Sequence, residues 1–287
     1  MTAVPITAPG VYDLPVDVYH ADPVAGGSLS SSGARAMLPP SCPARYRWEL
    51  DNPGTGSTRA FDLGTAAHRL VLGAGEPIHV VDATDWRTKA AKDERDAARA
   101  AGHVPLLAHE YTVVEQMATA LRAHPVAAAL LNPARGGAAE QTLVWQDHRT
   151  GVWCRALVDW LPVADPARRY YVPDYKTANA ADLESLRRAM ATYRYHQQAA
   201  WYAEGVRAVG VHPAPEFVFV VQEKAPPYLV TIYYPDAVAM RGADALNHVG
   251  RTVWQHCCAT GEWPGYATDI VELSLPVWSE REFGDLL

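Results

Sequence analysis

Val172-Pro173-Asp174-Tyr175-Lys176-Thr177 is the stretch on which the fold turns. Side chains on a strand alternate faces, so residues two apart point the same way. Asp174 and Lys176 therefore share a face, and the backbone carbonyl of Tyr175 lies beside it. A carboxylate, a carbonyl oxygen and an ammonium directed at one point suit a divalent ion and a water, and Mg²⁺ favours such hard oxygen ligands. Fifteen residues earlier a second strand-like run, Cys154-Arg155-Ala156-Leu157-Val158-Asp159, ends in another aspartate. The polar interval from Asp165 to Arg169 predicts an antiparallel turn, making a hairpin that brings Asp159 and Asp174 together. Asp-x-Lys alone is commonplace on surface strands, so its meaning rests on the residues around it.

Working outward, the hydrophobic period changes towards two from Glu140, which predicts strands over 141–146, 152–161 and 170–176. Upstream, a helix is predicted over 61–72, with Phe61, Ala67, His68 and Leu72 at helical spacing and Gly73 just past its end. A charged helix over 85–101 and an apolar one over 109–131 follow, the latter carrying Val113, Met117, Ala120, Leu121 and Leu130. Downstream come helices over 182–190 and 195–208. A strand pair over 216–222 and 228–234 turns at Ala225-Pro226-Pro227, and a last helix covers 237–260, before Trp263-Pro264-Gly265-Tyr266. The first 27 residues read as an extended lead-in, after which Ser28-Leu29-Ser30-Ser31-Ser32 supplies N-caps for a helix through Leu38. Residues 51–58, with Gly54 and Gly56, read as a flexible loop. The order predicts an α/β architecture, a mixed central sheet flanked by helices.

With 287 residues and 49% hydrophobic composition, the chain can bury a substantial core. No uninterrupted apolar run reaches about 18 residues and no basic-then-apolar leader opens the chain, so no membrane association is expected. Cys42, Cys154, Cys257 and Cys258 lack the spacing of a disulfide framework. Reduced thiols fit a cytoplasmic location. The net charge of −7 argues against a binder whose affinity for nucleic acid comes from overall basic charge. It leaves open a site of clustered carboxylates, which are neutralised when metal binds. No phosphate-cradling P-loop, no G-x-G-x-x-G after a strand and no G-x-S-x-G elbow occurs.

Each further candidate has a bland and a functional reading. Gln198 and Tyr202, at i and i+4, share a helix face, either partly buried packing or an amide and a phenol donating into the cleft. His68 is either a core histidine bonded to a carbonyl or a cleft residue, and the small neighbours Gly64-Thr65-Ala66-Ala67 allow close approach of another backbone. Glu140, heading the strand before Asp159, is either a solvated strand end or a third carboxylate. Arg87, Lys89, Lys92 and Arg95 form either a solvated face with acidic partners or a phosphate-contacting one. An iron–sulfur cluster is not expected. Only Cys257 and Cys258 follow the core, they are adjacent, and Cys154 lies inside a strand.

Taken in order, Leu63-Gly64-Thr65-Ala66-Ala67-His68, Asp159, Asp174-Tyr175-Lys176-Thr177 and Gln198-x-x-x-Tyr202 resemble the PD-(D/E)XK nuclease superfamily, most closely the RecE-like phage and prophage exonucleases. Leu29-Ser30-Ser31-Ser32 with Ser41-Cys42-Pro43-Ala44, and Gly261-Glu262-Trp263-Pro264-Gly265-Tyr266, extend the resemblance to both ends. It covers roughly residues 28–270, as a single domain between the lead-in and a tail over 271–287. The resemblance implies a restriction-endonuclease-like fold and Mg²⁺-dependent digestion of double-stranded DNA from its ends, with Mn²⁺ as a possible substitute. It also implies 5′ to 3′ polarity in a bacterial host's cytoplasm, a ring-shaped homo-oligomer (trimer or tetramer) and a RecT-like single-strand annealing partner. Metal binding is implied for His68, Asp159, Asp174 and the Tyr175 carbonyl. Lys176 is implied to position or activate the attacking water, with Gln198 and Tyr202 beside it. The superfamily's nominal proline belongs with the first aspartate, where this chain has Val158-Asp159, whereas Pro173 precedes Asp174. Rival expectations are a non-catalytic DNA-binding or assembly protein of the same fold, and a structure-specific or CRISPR-adaptation-type nuclease.

Overall fold

Alternation of side chains sets the strands, and a computed structural model describes residues 5–52, 59–165 and 168–284, apart from the side chains of 59–61, 278, 282 and 283. Residues 53–58 of the predicted loop, 166–167 of the predicted turn and 285–287 of the tail lie outside the described residues. The strands are β1 (Gly10–Asp13), β2 (Leu29–Ser30), β3 (Ile78–Val81), β4 (Val104–Leu107), β5 (Gly137–Gln146), β6 (Trp153–Pro162), β7 (Tyr170–Ala178), β8 (Pro215–Glu223) and β9 (Val230–Tyr233). The helices are α1 (Val16–His20), α2 (Ser31–Ala36), α3 (Pro43–Asp51), α4 (Arg59–Leu72), α5 (Lys89–Ala100), α6 (Ala108–Ala123), α7 (Pro125–Leu130), α8 (Leu183–Tyr193), α9 (Tyr195–Ala208), α10 (Ala237–Thr260) and α11 (Val277–Phe283).

Strands pair in the orders β1-β5-β6-β2, β7-β8-β9 and β3-β4. The β5–β6 and β8–β9 ladders are antiparallel and β7–β8 is parallel, so the arrangement is the mixed one expected. The predicted hairpin is corrected: β7 takes its ladder from β8, not from β6. At the junction between β6 and β7 the Asp159 carboxylate accepts the Tyr175 N–H at 2.7 Å. A side chain thus stands where a strand carbonyl would stand in a continuous sheet, and the two aspartates still meet.

Helices cover both faces. On one side Leu143, Trp145, Ala156, Val172, Phe217 and Phe219 pack with Trp201 of α9 and Met37 beyond α2. On the other, Tyr175, Val220 and Trp160 pack with Ala66 and Ala67 of α4 and Val114, Met117 and Leu121 of α6. Gly205 lets α9 sit tightly on β5, because a Cβ there would fall 2.8 Å from the Trp145 ring.

Several elements differ from expectation for local reasons. The charged helix starts at Lys89 because Thr88 caps it through the Ala91 N–H, while Asp85 takes the Arg87 N–H in a turn. The helix predicted over 109–131 divides at Pro125, where the His124 ring accepts the Ala127 N–H, since proline cannot continue the hydrogen-bonded ladder. The lead-in, whose residues 1–4 lie outside the described residues, is not simply extended: it carries the short helix α1 and is built into the fold, since β1 pairs with β5 and Ile6 bridges Val24. Short β3 and β4 and the charged α3, which begins on Pro43, carry too little periodicity to be read from sequence.

Candidate active site

The site is where β6, β7, α4 and α9 meet. β7 presents Asp174 and Lys176 on one face, as the alternation demands, and the Lys176 ammonium lies 2.7 Å from Asp174 Oδ2. From α9, Gln198 Nε2 donates to Asp174 Oδ1 at 2.8 Å. From α4, the His68 ring packs 5.0 Å from the Tyr175 ring and places Nδ1 3.7 Å from Asp159 Oδ2. Tyr202, one turn beyond Gln198 on α9, stands edge-on to Phe217.

Burial sets the electrostatics. It pushes the Asp159 carboxyl well above the usual carboxylate range, Asp174 adds to the rise, and Lys176 and the Tyr175 N–H oppose it without cancelling it. For Lys176 burial works against the charged form. Asp174 and Asp159 outweigh it and hold the ammonium above the ordinary lysine range, so it is charged at neutral pH. Burial lowers His68 to about 4, against the attraction of Asp174 and a hydrogen bond to the Tyr175 backbone. Its imidazole is neutral at pH 7, the form in which histidine is a ligand. Burial, then Tyr19, Asp174 and Asp159, raise the Tyr202 phenol well above its usual value, leaving it a hydrogen-bond donor.

Glu140 stands across the β5–β6 ladder from Asp159, between the paired positions Ala139–Trp160 and Gln141–Val158. Its backbone is left-handed, φ 50°, a strained conformation for a side-chain-bearing residue. Burial raises its carboxyl, with Arg69 opposing and Glu76 adding, and its charge reaches Asp159. His68, Asp159, Asp174, Tyr175, Lys176, Gln198 and Tyr202 are thus brought together, while the Glu140 carboxylate, on the neighbouring strand β5, lies beside Gly75. The basic residues stay on and beside α5 among their own acids: Lys89 pairs with Asp93, Arg95 with Asp96 and Arg87 with Asp85, while Lys92 is exposed. Tyr195, whose ring centre is 5.1 Å from the Lys176 ammonium, was missed. The signal lay in its i−3 relation to Gln198 on the same helix face.

The donor set fits a divalent cation. Asp174 opposes ionisation of the neighbouring Asp159 carboxyl, and Asp174 Oδ2, despite its short approach to Lys176, lacks a well-directed hydrogen bond. Among the described residues no three His, Cys, Asp or Glu side chains already surround one point.

Fold and site define a member of the PD-(D/E)XK nuclease superfamily, a class whose members generally use divalent metal ions. The chain belongs to the family described as a PDDEXK-like domain of unknown function (DUF3799), which matches residues 30–273. Among solved structures, that of a "Putative exonuclease" from Eubacterium rectale is similar with a TM-score of 0.60 and 12% identity, covering 94% of this chain and 98% of that one. At that identity the likeness concerns the fold. No curated protein matches the sequence. No described helix is long and apolar enough to cross a membrane.

Proposed function

We propose that this chain is a metal-dependent exonuclease that hydrolyses phosphodiester bonds from the ends of linear double-stranded DNA. The observation that carries the proposal is the close set of buried Asp174 and half-buried Asp159 and Lys176, with His68 and Gln198 directed at the two carboxylates. His68, Asp159, Asp174 and the Tyr175 carbonyl would hold Mg²⁺, or Mn²⁺ in its place, with Glu140 as a further carboxylate. When bound, such an ion lowers the pKa of water and neutralises charge on the attacking and leaving oxygens.

The protein's own groups have distinct tasks. Lys176 is charged, so it acts as a hydrogen-bond donor that orients the attacking water and stabilises the phosphorane. Gln198 fixes the Asp174 carboxylate, and Tyr202 stands one turn further along the same face of α9. Polarity from 5′ to 3′, leaving a 3′ strand for a RecT-like annealing protein, and a ring-shaped homo-oligomer complete the reading, by analogy with the RecE-like exonucleases.

A linear duplex labelled at its 5′ or its 3′ end tests this. With Mg²⁺ the protein should release nucleotides from the 5′ end first and spare a covalently closed circle. Asp174→Ala should bind DNA ends without releasing nucleotides. Undiminished digestion by that variant would refute the site, and cutting of the closed circle would refute the exonuclease.

A further inference from the structure

The Lys176 ammonium also rests on a row of aromatic rings that the hydrolytic chemistry does not need. Its Nζ lies 5.1 Å from the Tyr195 ring centre and 5.6 Å from that of Phe219. Phe219 stacks on Tyr233 at 5.1 Å, and Tyr195 lies 5.5 Å from Phe219 on one side and 5.5 Å from Tyr193 on the other. The row runs from the interior of β8 to the end of α8, where Tyr193 is 55% exposed.

A cavity of about 380 Å³ opens at the outer end of this row, where Tyr193 and Tyr195 line it. Its walls are partly apolar, with Ala189 and Val221. Lys176 and Lys224 also line it, and no acidic residue does; Asp174 sits behind Lys176. In a chain of net charge −7 this local balance favours an anion. The volume lies in the range of small-ligand sites, too narrow for a duplex end. Exposed aromatic rings beside ammonium groups suit unpaired nucleotides, since every base offers a face to stack and every link a phosphate.

We infer that this cavity receives one unpaired nucleotide of the strand being cut, its base against Tyr193 and its phosphate between Lys176 and Lys224. This rests on the nuclease reading and deepens it: a nucleotide that enters here has left its base pair, so the terminal pair opens before hydrolysis.

The test uses hairpin duplexes with a three-nucleotide overhang, 5′ or 3′, whose overhang bases are either present or replaced by abasic sugars. Binding is followed by fluorescence anisotropy in EDTA, and hydrolysis separately with Mg²⁺. The wild-type chain should bind one intact overhang about tenfold more tightly than its abasic counterpart. Tyr193→Phe should keep that ratio and Tyr193→Ala should bring it near one, with unchanged far-UV circular dichroism in both. Equal affinity of the wild type for intact and abasic overhangs, or a ratio unaltered in Tyr193→Ala, overturns the inference. Base-dependent binding without any hydrolysis would sink the nuclease reading and leave the subsite standing, whereas hydrolysis indifferent to the bases would do the reverse.

Discussion

Lys176 and His68 show how burial converts ordinary side chains into specialised ones. The ammonium is held charged by two carboxylates, so its contribution is that of a preorganised donor. Lys176→Met should lower kcat by on the order of 10²–10³-fold, the cost of one such donor, while affinity for DNA ends measured in EDTA falls far less, by no more than the loss of one phosphate contact. A loss of affinity equal to the loss of rate would show that Lys176 serves only ground-state binding. His68 carries a pH consequence. With its folded pKa lowered to about 4 from a usual value near 6.5, the unfolded chain binds the extra proton between those two values. Stability from this group is therefore unaffected above about pH 6.5 and falls as the pH drops towards 4. Denaturant titrations of wild type and His68→Gln should converge at the acidic end, the variant losing less stability there. Parallel pH profiles would mean that His68 titrates normally.

At the scale of elements, the site depends on strands and helices locked from behind. Tyr175 points away from the carboxylates, and its hydroxyl donates to Gln222 of β8 at 2.7 Å. The Gln222 amide in turn donates to Met117 O of α6 at 2.8 Å. This buried chain fixes the register of the residue whose N–H holds Asp159. Removing one partner strands the others without water, at a cost of about 1–3 kcal/mol, so Gln222→Leu should lower the denaturation midpoint clearly. Stability within a few tenths of a kcal/mol of wild type would contradict that role. Helix α10 offers a contrast between two glycines. A Cβ at Gly250 would fall 2.6 Å from the Ala34 carbonyl oxygen, whereas one at Gly242 meets nothing within 4 Å. Gly250→Ala should destabilise by about 1–3 kcal/mol through overpacking, and Gly242→Ala should stabilise by about 0.5–1 kcal/mol through helix propensity. Thermal melts in which both change in the same direction would contradict the close packing of α10 on α2.

Across the whole molecule the site is a local weakness that the remaining core sustains. Asp159 ionises against burial and against Asp174. Replacing it with the isosteric amide keeps an acceptor for the Tyr175 N–H and removes a charge. Since the raised folded pKa means that the native state holds its proton longer than the unfolded chain, wild-type stability declines as pH rises from about 4 through that value. At pH 8 without divalent metal, Asp159→Asn should therefore melt higher, by about 2–4 °C for each kcal/mol gained. Added Mg²⁺ should raise the melting temperature of the wild type and leave the variant nearly unmoved. Equal Mg²⁺ shifts in the two proteins would remove Asp159 from the ion's binding site.

Much of this was legible in the chain itself. Period-two alternation placed β5 to β8, and helical spacing with a closing glycine placed α4, because those signals are local. The co-facing Asp174 and Lys176, and the shared face of Gln198 and Tyr202, follow from backbone geometry alone. Short β3 and β4 escaped because four residues carry too little pattern, and the break before α7 lay in a proline whose cap is a histidine. What only the tertiary structure decided is how the pieces meet: β7 pairs with β8 instead of β6, the Asp159 carboxylate takes the place of a ladder carbonyl, and Glu140 is forced left-handed opposite it. Those outcomes depend on contacts between residues far apart in sequence and on the burial they create. Burial, which no motif records, is what holds His68 neutral and Asp159 reluctant to ionise.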